Sequence, residues 1–158
     1  MDPRNFKIEG VELNWAKLDK PVNPFGTEQY ELQIATKDKA KADMLAANHL
    51  KVKEKDGVYT VSLRRKAKKA NGEDNGKVRV VMSDLSPMEN VRELGNGSIG
   101  NVIIFQYPWE QAGRTGIASS LTAIQVTELE IYKPDSVGFE AIGGSEEPAE
   151  TQDPVSMF

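Results

Sequence analysis

The stretch NVIIFQYPW, residues 101–109, decides the fold: its residues alternate so that Ile103, Phe105, Tyr107 and Trp109 share one face. A period of two is the signature of a β-strand. Pro108 cannot donate to a hydrogen-bond ladder, so Tyr107-Pro108-Trp109 is expected at a strand end or edge, with Trp109 exposed. Downstream, Ile117–Tyr132 includes the β-branched run LTAIQVTELEIY and predicts a last β region. Upstream, Asp84–Asn101 is rich in Gly, Asn, Ser and Pro and predicts irregular chain.

The same reading extends to the first half. Phe6 and Ile8, then Val11, Leu13 and Trp15, alternate with a phase slip at Gly10, which predicts one strand carrying a bulge there. Pro21, Pro24 and Gly26 break the chain before Tyr30, Leu32 and Ile34 resume the alternation. Asp38–Leu50 holds Ala, Leu and Met without Gly or Pro and predicts one helix, with Asp38 or Thr36 able to cap it. Asp56-Gly57 signals a hairpin leading into a strand over Val58–Arg65. A long basic loop with Asn71-Gly72 and Asn75-Gly76 then leads to a strand over Val78–Met82. Five or six strands and one short helix predict an all-β fold, specifically an OB-like antiparallel β-barrel with long loops over residues 1–139. Residues 140–158 are poor in groups to bury and predict a flexible acidic tail.

The net charge is −4, yet its distribution matters more than its sum. Residues 140–158 carry five acids and no Lys or Arg, which leaves twenty basic against nineteen acidic side chains in the body. Between Arg64 and Arg79 seven cations face only Glu73 and Asp74, a local surplus able to bind phosphate. There is no Cys and only one His, His49, which excludes disulfides, thiol chemistry and the usual zinc sets, so no cofactor or metal is expected. No apolar run reaches the roughly 18 residues of a membrane span and no leader is visible, so a cytoplasmic, non-membrane setting is expected.

Aromatic and basic residues interleave: Trp15 with Lys17 and Lys20, Tyr59 with Arg64, and Phe105, Tyr107 and Trp109 with Arg114. Single strands are held by rings on which bases stack, in a groove whose cations track the backbone. The competing interpretation is that alternate aromatics are simply core. For Arg64, Lys66, Lys68, Lys69, Lys77 and Arg79 the choice lies between a phosphate-binding patch and a solvated loop. Gly95-Asn-Gly-Ser-Ile-Gly100 matches a dinucleotide-loop spacing, but it lacks the strand before and the helix after that such a loop requires, and predicts a plain loop or hairpin. No nucleophile and base, carboxylate pair or metal cluster can be assembled, so an enzyme is not expected. The sequence ends in Asp153-Pro-Val-Ser-Met-Phe158, where a ring and a carboxylate could form a partner-binding handle.

The block Gly95–Trp109, the segment Gly113–Val126 and the terminal Phe158 together resemble the single-stranded DNA-binding proteins of tailed phages. That resemblance implies an OB-fold body and an acidic tail ending in phenylalanine. It also implies protection of single strands in phage replication and recombination within the host cytoplasm, and tail-mediated contact, through Asp153 and Phe158, with replication or recombination proteins. A homodimer stays open. So do two other functions: an RNA-binding OB module, or a non-enzymatic structural phage protein.

Overall fold

A computed structural model describes residues 2–23 and 26–131. The elements are β1 (Arg4–Val22), β2 (Gln29–Thr36), α1 (Lys39–Ala47), β3 (Lys53–Lys55), β4 (Val58–Lys66), β5 (Arg79–Met82), a 3-10 turn (Val91–Glu93), β6 (Ser98–Gln111) and β7 (Arg114–Glu128). They form one seven-stranded sheet in the order β3-β4-β2-β1-β6-β7-β5. The core lies on the inward positions of the alternating strands, where Ile8, Leu13, Leu32, Ile34, Ile104, Leu121 and Ile124 are fully buried. Each such side chain contributes about 1.5–3 kcal/mol by leaving water.

The expected closed antiparallel barrel is not what forms. The end strands β3 and β5 do not pair, and β5 runs parallel to β7, with Arg79 opposite Ala123. The sheet nonetheless curls, because β4 and β7 stand four places apart in the order yet come together at Arg65. There the Arg65 guanidinium donates to the carbonyls of Asn75 and Gly76, and Nη1 lies 3.5 Å from the carbonyl oxygen of Leu121. A side chain stands where a closing backbone ladder would run, so the sheet is open at that seam.

Local chemistry explains the other elements. The slip at Gly10 is a β-bulge: the β1–β6 register shifts between Ile8 and Val11, and Gly10 has a φ of 64°. Its N–H donates to Asn101 Oδ1, and Lys41 Nζ from α1 donates to the carbonyls of Glu9 and Gly10. The helix starts at Asp38, whose carboxylate accepts from the N–H groups of Ala40 and Lys41, and it buries Ala42 and Leu45. Asp56 and Gly57 both have positive φ, as a two-residue hairpin turn requires, and they join β4 to the short β3, a strand absent from the sequence reading.

The β6–β7 hairpin uses the same turn at Ala112 (φ 54°) and Gly113 (φ 81°), closed by the pair Gln111 and Arg114. An alanine held left-handed costs roughly 1–2 kcal/mol. Ala112→Asn, which suits that conformation, is expected to raise the thermal midpoint by about 2–4 °C without altering the fold. A midpoint unchanged or lowered in a melting experiment would contradict this assignment.

Candidate nucleic-acid interface

From Arg4 to Leu13, β1 covers one edge of β6 as far as Gln106; beyond it, Tyr107–Gln111 pair only with β7. The end of the hairpin is therefore a two-stranded ribbon leaving the sheet, and Pro108 costs no bond to a third strand there. Gln106 is fully buried, so its neighbours Phe105 and Tyr107 point to the opposite face, with Trp109 in the same phase. The three are 36%, 38% and 41% exposed. Phe105 and Tyr107 stack with ring centres 5.8 Å apart.

The residues opposite them on β7 are small: Ser120 for Phe105, Ala118 for Tyr107 and Gly116 for Trp109. At Gly116 the reason is steric, because a Cβ would sit 2.8 Å from Cε2, Cζ2 and Nε1 of the indole. Trp109 lies directly on this glycine. Gly116→Val is expected to displace the ring, seen as a shift of Trp109 emission and greater quenching by iodide in a Trp15→Phe background. Unchanged emission would show that the indole does not rest there.

Below the rings a buried polar network fixes the strand. Gln106 Oε1 accepts from Arg4 Nε and Nη2, while Gln106 Nε2 donates to the Asn48 carbonyl (2.7 Å) and to Ser119 Oγ. Arg4 Nη2 also donates to Asn48 Oδ1 (2.8 Å), at the C-terminal cap of α1. The amide is satisfied at both ends, which makes its burial affordable and joins β1, β6, β7 and the helix end.

One groove of about 1380 Å³ collects side chains from β1, β2, β3, β4, β6 and β7, the loop after β4 and the segment after α1. Of the sequence candidates it brings together Trp15, Lys17, Arg64, Lys66, Lys68, Lys69, Phe105, Tyr107 and Trp109. Trp15, 62% exposed, sits where the β1–β2 register shifts between Asn14 and Lys17. The loop after β4 is shaped by its own bonds: Lys69 N–H donates to the Glu73 carbonyl and Asn75 N–H to that of Ala67. Lys68 and Lys69 are thereby held on a defined turn.

Lys20, Tyr59, Lys77, Arg79 and Arg114 do not line this groove. Tyr59 is half-buried, in phase with the buried Val61 and Leu63. Lys77 Nζ donates to the Asp19 carbonyl (2.9 Å), Arg79 lies on the outermost strand β5, Arg114 flanks the hairpin turn, and Lys20 is near the end of β1. Asp153 and Phe158, and the proposed 139/140 boundary, fall outside the described residues. The sequence reading missed His49, Lys51 and Lys53, which line the groove beyond α1, and the polar Asn5, Gln33, Thr60 and Ser62. Alternating lysines in KVKEK were the available signal for Lys51 and Lys53. Glu31 is the one carboxylate among the lining residues, against eight Lys and Arg, so the groove is strongly positive. Among the described residues no group of three His, Cys, Asp or Glu could hold a metal, and no helix is long and apolar enough to cross a membrane.

No family model and no curated protein matches the sequence. The fold, however, is shared with solved single-stranded DNA-binding proteins of bacteriophages. The protein gp2.5 encoded by bacteriophage T7 aligns with a TM-score of 0.60 at 17% identity, over 92% of this chain and 100% of that one. The single-stranded DNA-binding protein of bacteriophage Enc34, solved in complex with single-stranded DNA, aligns with a TM-score of 0.59 at 15% identity, over 80% of this chain and 87% of that one. A C-terminally truncated form of the Enc34 protein gives 0.56 at 16% identity, with the same coverage.

Proposed function

We propose that this protein binds single-stranded DNA with little sequence preference, coating and protecting it during phage replication and recombination, and that it acts by binding rather than catalysis. One observation carries the reading: four exposed aromatics, Trp15, Phe105, Tyr107 and Trp109, meet a wall of cations in one groove. Rings accept any base and cations accept any phosphate, so this combination suits a strand of arbitrary sequence. The fold shared with the phage proteins points the same way.

Titrating the two tryptophans with oligo(dT) tests it. Binding should be much tighter to single strands than to duplex, and four neutralised phosphates give a log–log salt slope of about −3. Equal affinity for duplex, or a flat salt response, removes the proposal. Competition between oligo(dA) and oligo(rA), which share their base and differ only in the 2′-hydroxyl, separates a DNA from an RNA preference.

The proposal extends to residues 140–158, whose five acids compete with phosphate for the groove while Asp153 and Phe158 recruit replication or recombination proteins. Deleting 140–158 is expected to tighten oligo(dT) binding, most at low salt where charges are least screened. An affinity unchanged by the deletion at low salt would show that the acids do not compete.

A further inference from the structure

The Gly95–Gly100 segment has no phosphate-loop architecture, yet its geometry is tightly specified. Ser98 is fully buried; its Oγ donates to the Gly95 carbonyl (2.8 Å) and accepts from Glu130 N–H (2.9 Å), while Gly95 N–H donates to the Glu130 carbonyl (2.7 Å). The loop is thus tied down to the chain that leaves β7. From this anchored base it reaches β1 twice. Asn96 Oδ1 accepts the N–H of Trp15 at 2.7 Å, and Gly97 N–H donates to Asn14 Oδ1 at 2.9 Å.

The residue gripped between these bonds is the most exposed aromatic of the groove, and it holds a φ of 52°. A bulky side chain in the left-handed region is strained, and such a conformation persists only where neighbours impose it. A regular β1 would not need this: the β1–β2 register breaks between Asn14 and Lys17, at the bulge that carries Trp15. Nor does the core need it, because the indole is largely in solvent.

We propose that Asn96 and Asn14 form a two-bond clamp that holds the Trp15 bulge so that its indole is presented as a base-stacking platform, which makes Asn96 a positioning residue of the groove. This rests on the single-strand reading above. The strain at Trp15 is offset by two bonds from backbone N–H groups to asparagine side chains, one at Trp15 itself and one at its neighbour Asn14, and stacking then meets a ring already in place rather than one that must be ordered on binding. The anchored Ser98 base explains how a loop so rich in glycine can do this.

A double-mutant cycle on the full chain tests the clamp, using labelled oligo(dT) anisotropy. Asn96→Ala should weaken binding about five- to tenfold, as expected for partial loss of one stacking contact, and leave the salt slope unchanged because no cation is touched. In a Trp15→Ala background the same change should cost nothing further. Asn96→Asp keeps the acceptor for Trp15 N–H and should restore most of the affinity, read at high salt where its charge is screened. In a Trp109→Phe background, the Trp15 anisotropy of the free protein should fall with Asn96→Ala and recover with Asn96→Asp. An equal loss with and without Trp15, a changed salt slope, or full affinity for Asn96→Ala overturns the clamp while leaving single-strand binding in place. Failure of the unaltered protein to bind oligo(dT) overturns the function itself.

Discussion

Replacing Tyr107 and Trp109 together by alanine is expected to lower affinity for oligo(dT) by a hundredfold or more, because each base stacked on a ring is worth roughly 1–3 kcal/mol and about 1.4 kcal/mol is a factor of ten. The loss should be the same at all salt concentrations, since neither residue carries charge. Stability should change little: both side chains are more than a third exposed, and the ribbon that bears them is held by its backbone ladder to β7. A melting curve and a salt series of anisotropy titrations check both halves. Unchanged affinity in a folded variant would mean that the rings serve the ribbon and not the ligand.

Replacing Arg64, Lys66, Lys68 and Lys69 by alanine should have the opposite signature. If each neutralises one phosphate, at about 0.7 in slope apiece, the salt dependence nearly vanishes and affinity falls about a hundredfold at 0.2 M salt and more than a thousandfold at 0.05 M. All base sequences should suffer alike. Arg65 stays in this variant: although it also lines the groove, its guanidinium donates to the Asn75 and Gly76 carbonyls and reaches towards that of Leu121, so its removal would damage the seam between β4 and β7 and mix a fold effect into the salt slope. A slope that survives the fourfold change would return the cluster to the status of a solvated turn.

What was legible in the sequence followed from local rules. The alternation around Phe105 put Phe105, Tyr107 and Trp109 on one face of β6 but left open whether that face was core, the slip at Gly10 named the bulge, Asp56-Gly57 named the hairpin, and of the two cap candidates, Asp38 and Thr36, Asp38 is the cap. The closed barrel failed because closure is decided by pairing between strands distant in sequence. No periodicity shows that β5 lies parallel to β7, or that Arg65 occupies the seam. The candidate site divided in the same way. Residues adjacent along one strand, such as Phe105, Tyr107 and Trp109, came out together. Lys77 lies outside the groove, where its ammonium donates to a carbonyl on β1, and Lys51 and Lys53 gave little signal because they lie far in sequence from any aromatic. The role of Asn96 was hidden too, since it contacts a residue 81 positions away.

The ribbon beyond Gln106 has a mechanical consequence. A strand paired on both edges is stiff, whereas a two-stranded ribbon twists more strongly and bends at little cost. Tyr107 and Trp109 are mounted on such a ribbon, while Phe105 sits at its root beside the buried Gln106 amide. If the protein binds single strands as proposed, such a support would let the outer rings shift with the size of the base while the inner ring keeps its place. The proposed indifference to base identity would then arise from compliance in the support, with no need for a wide slot that would grip small bases loosely.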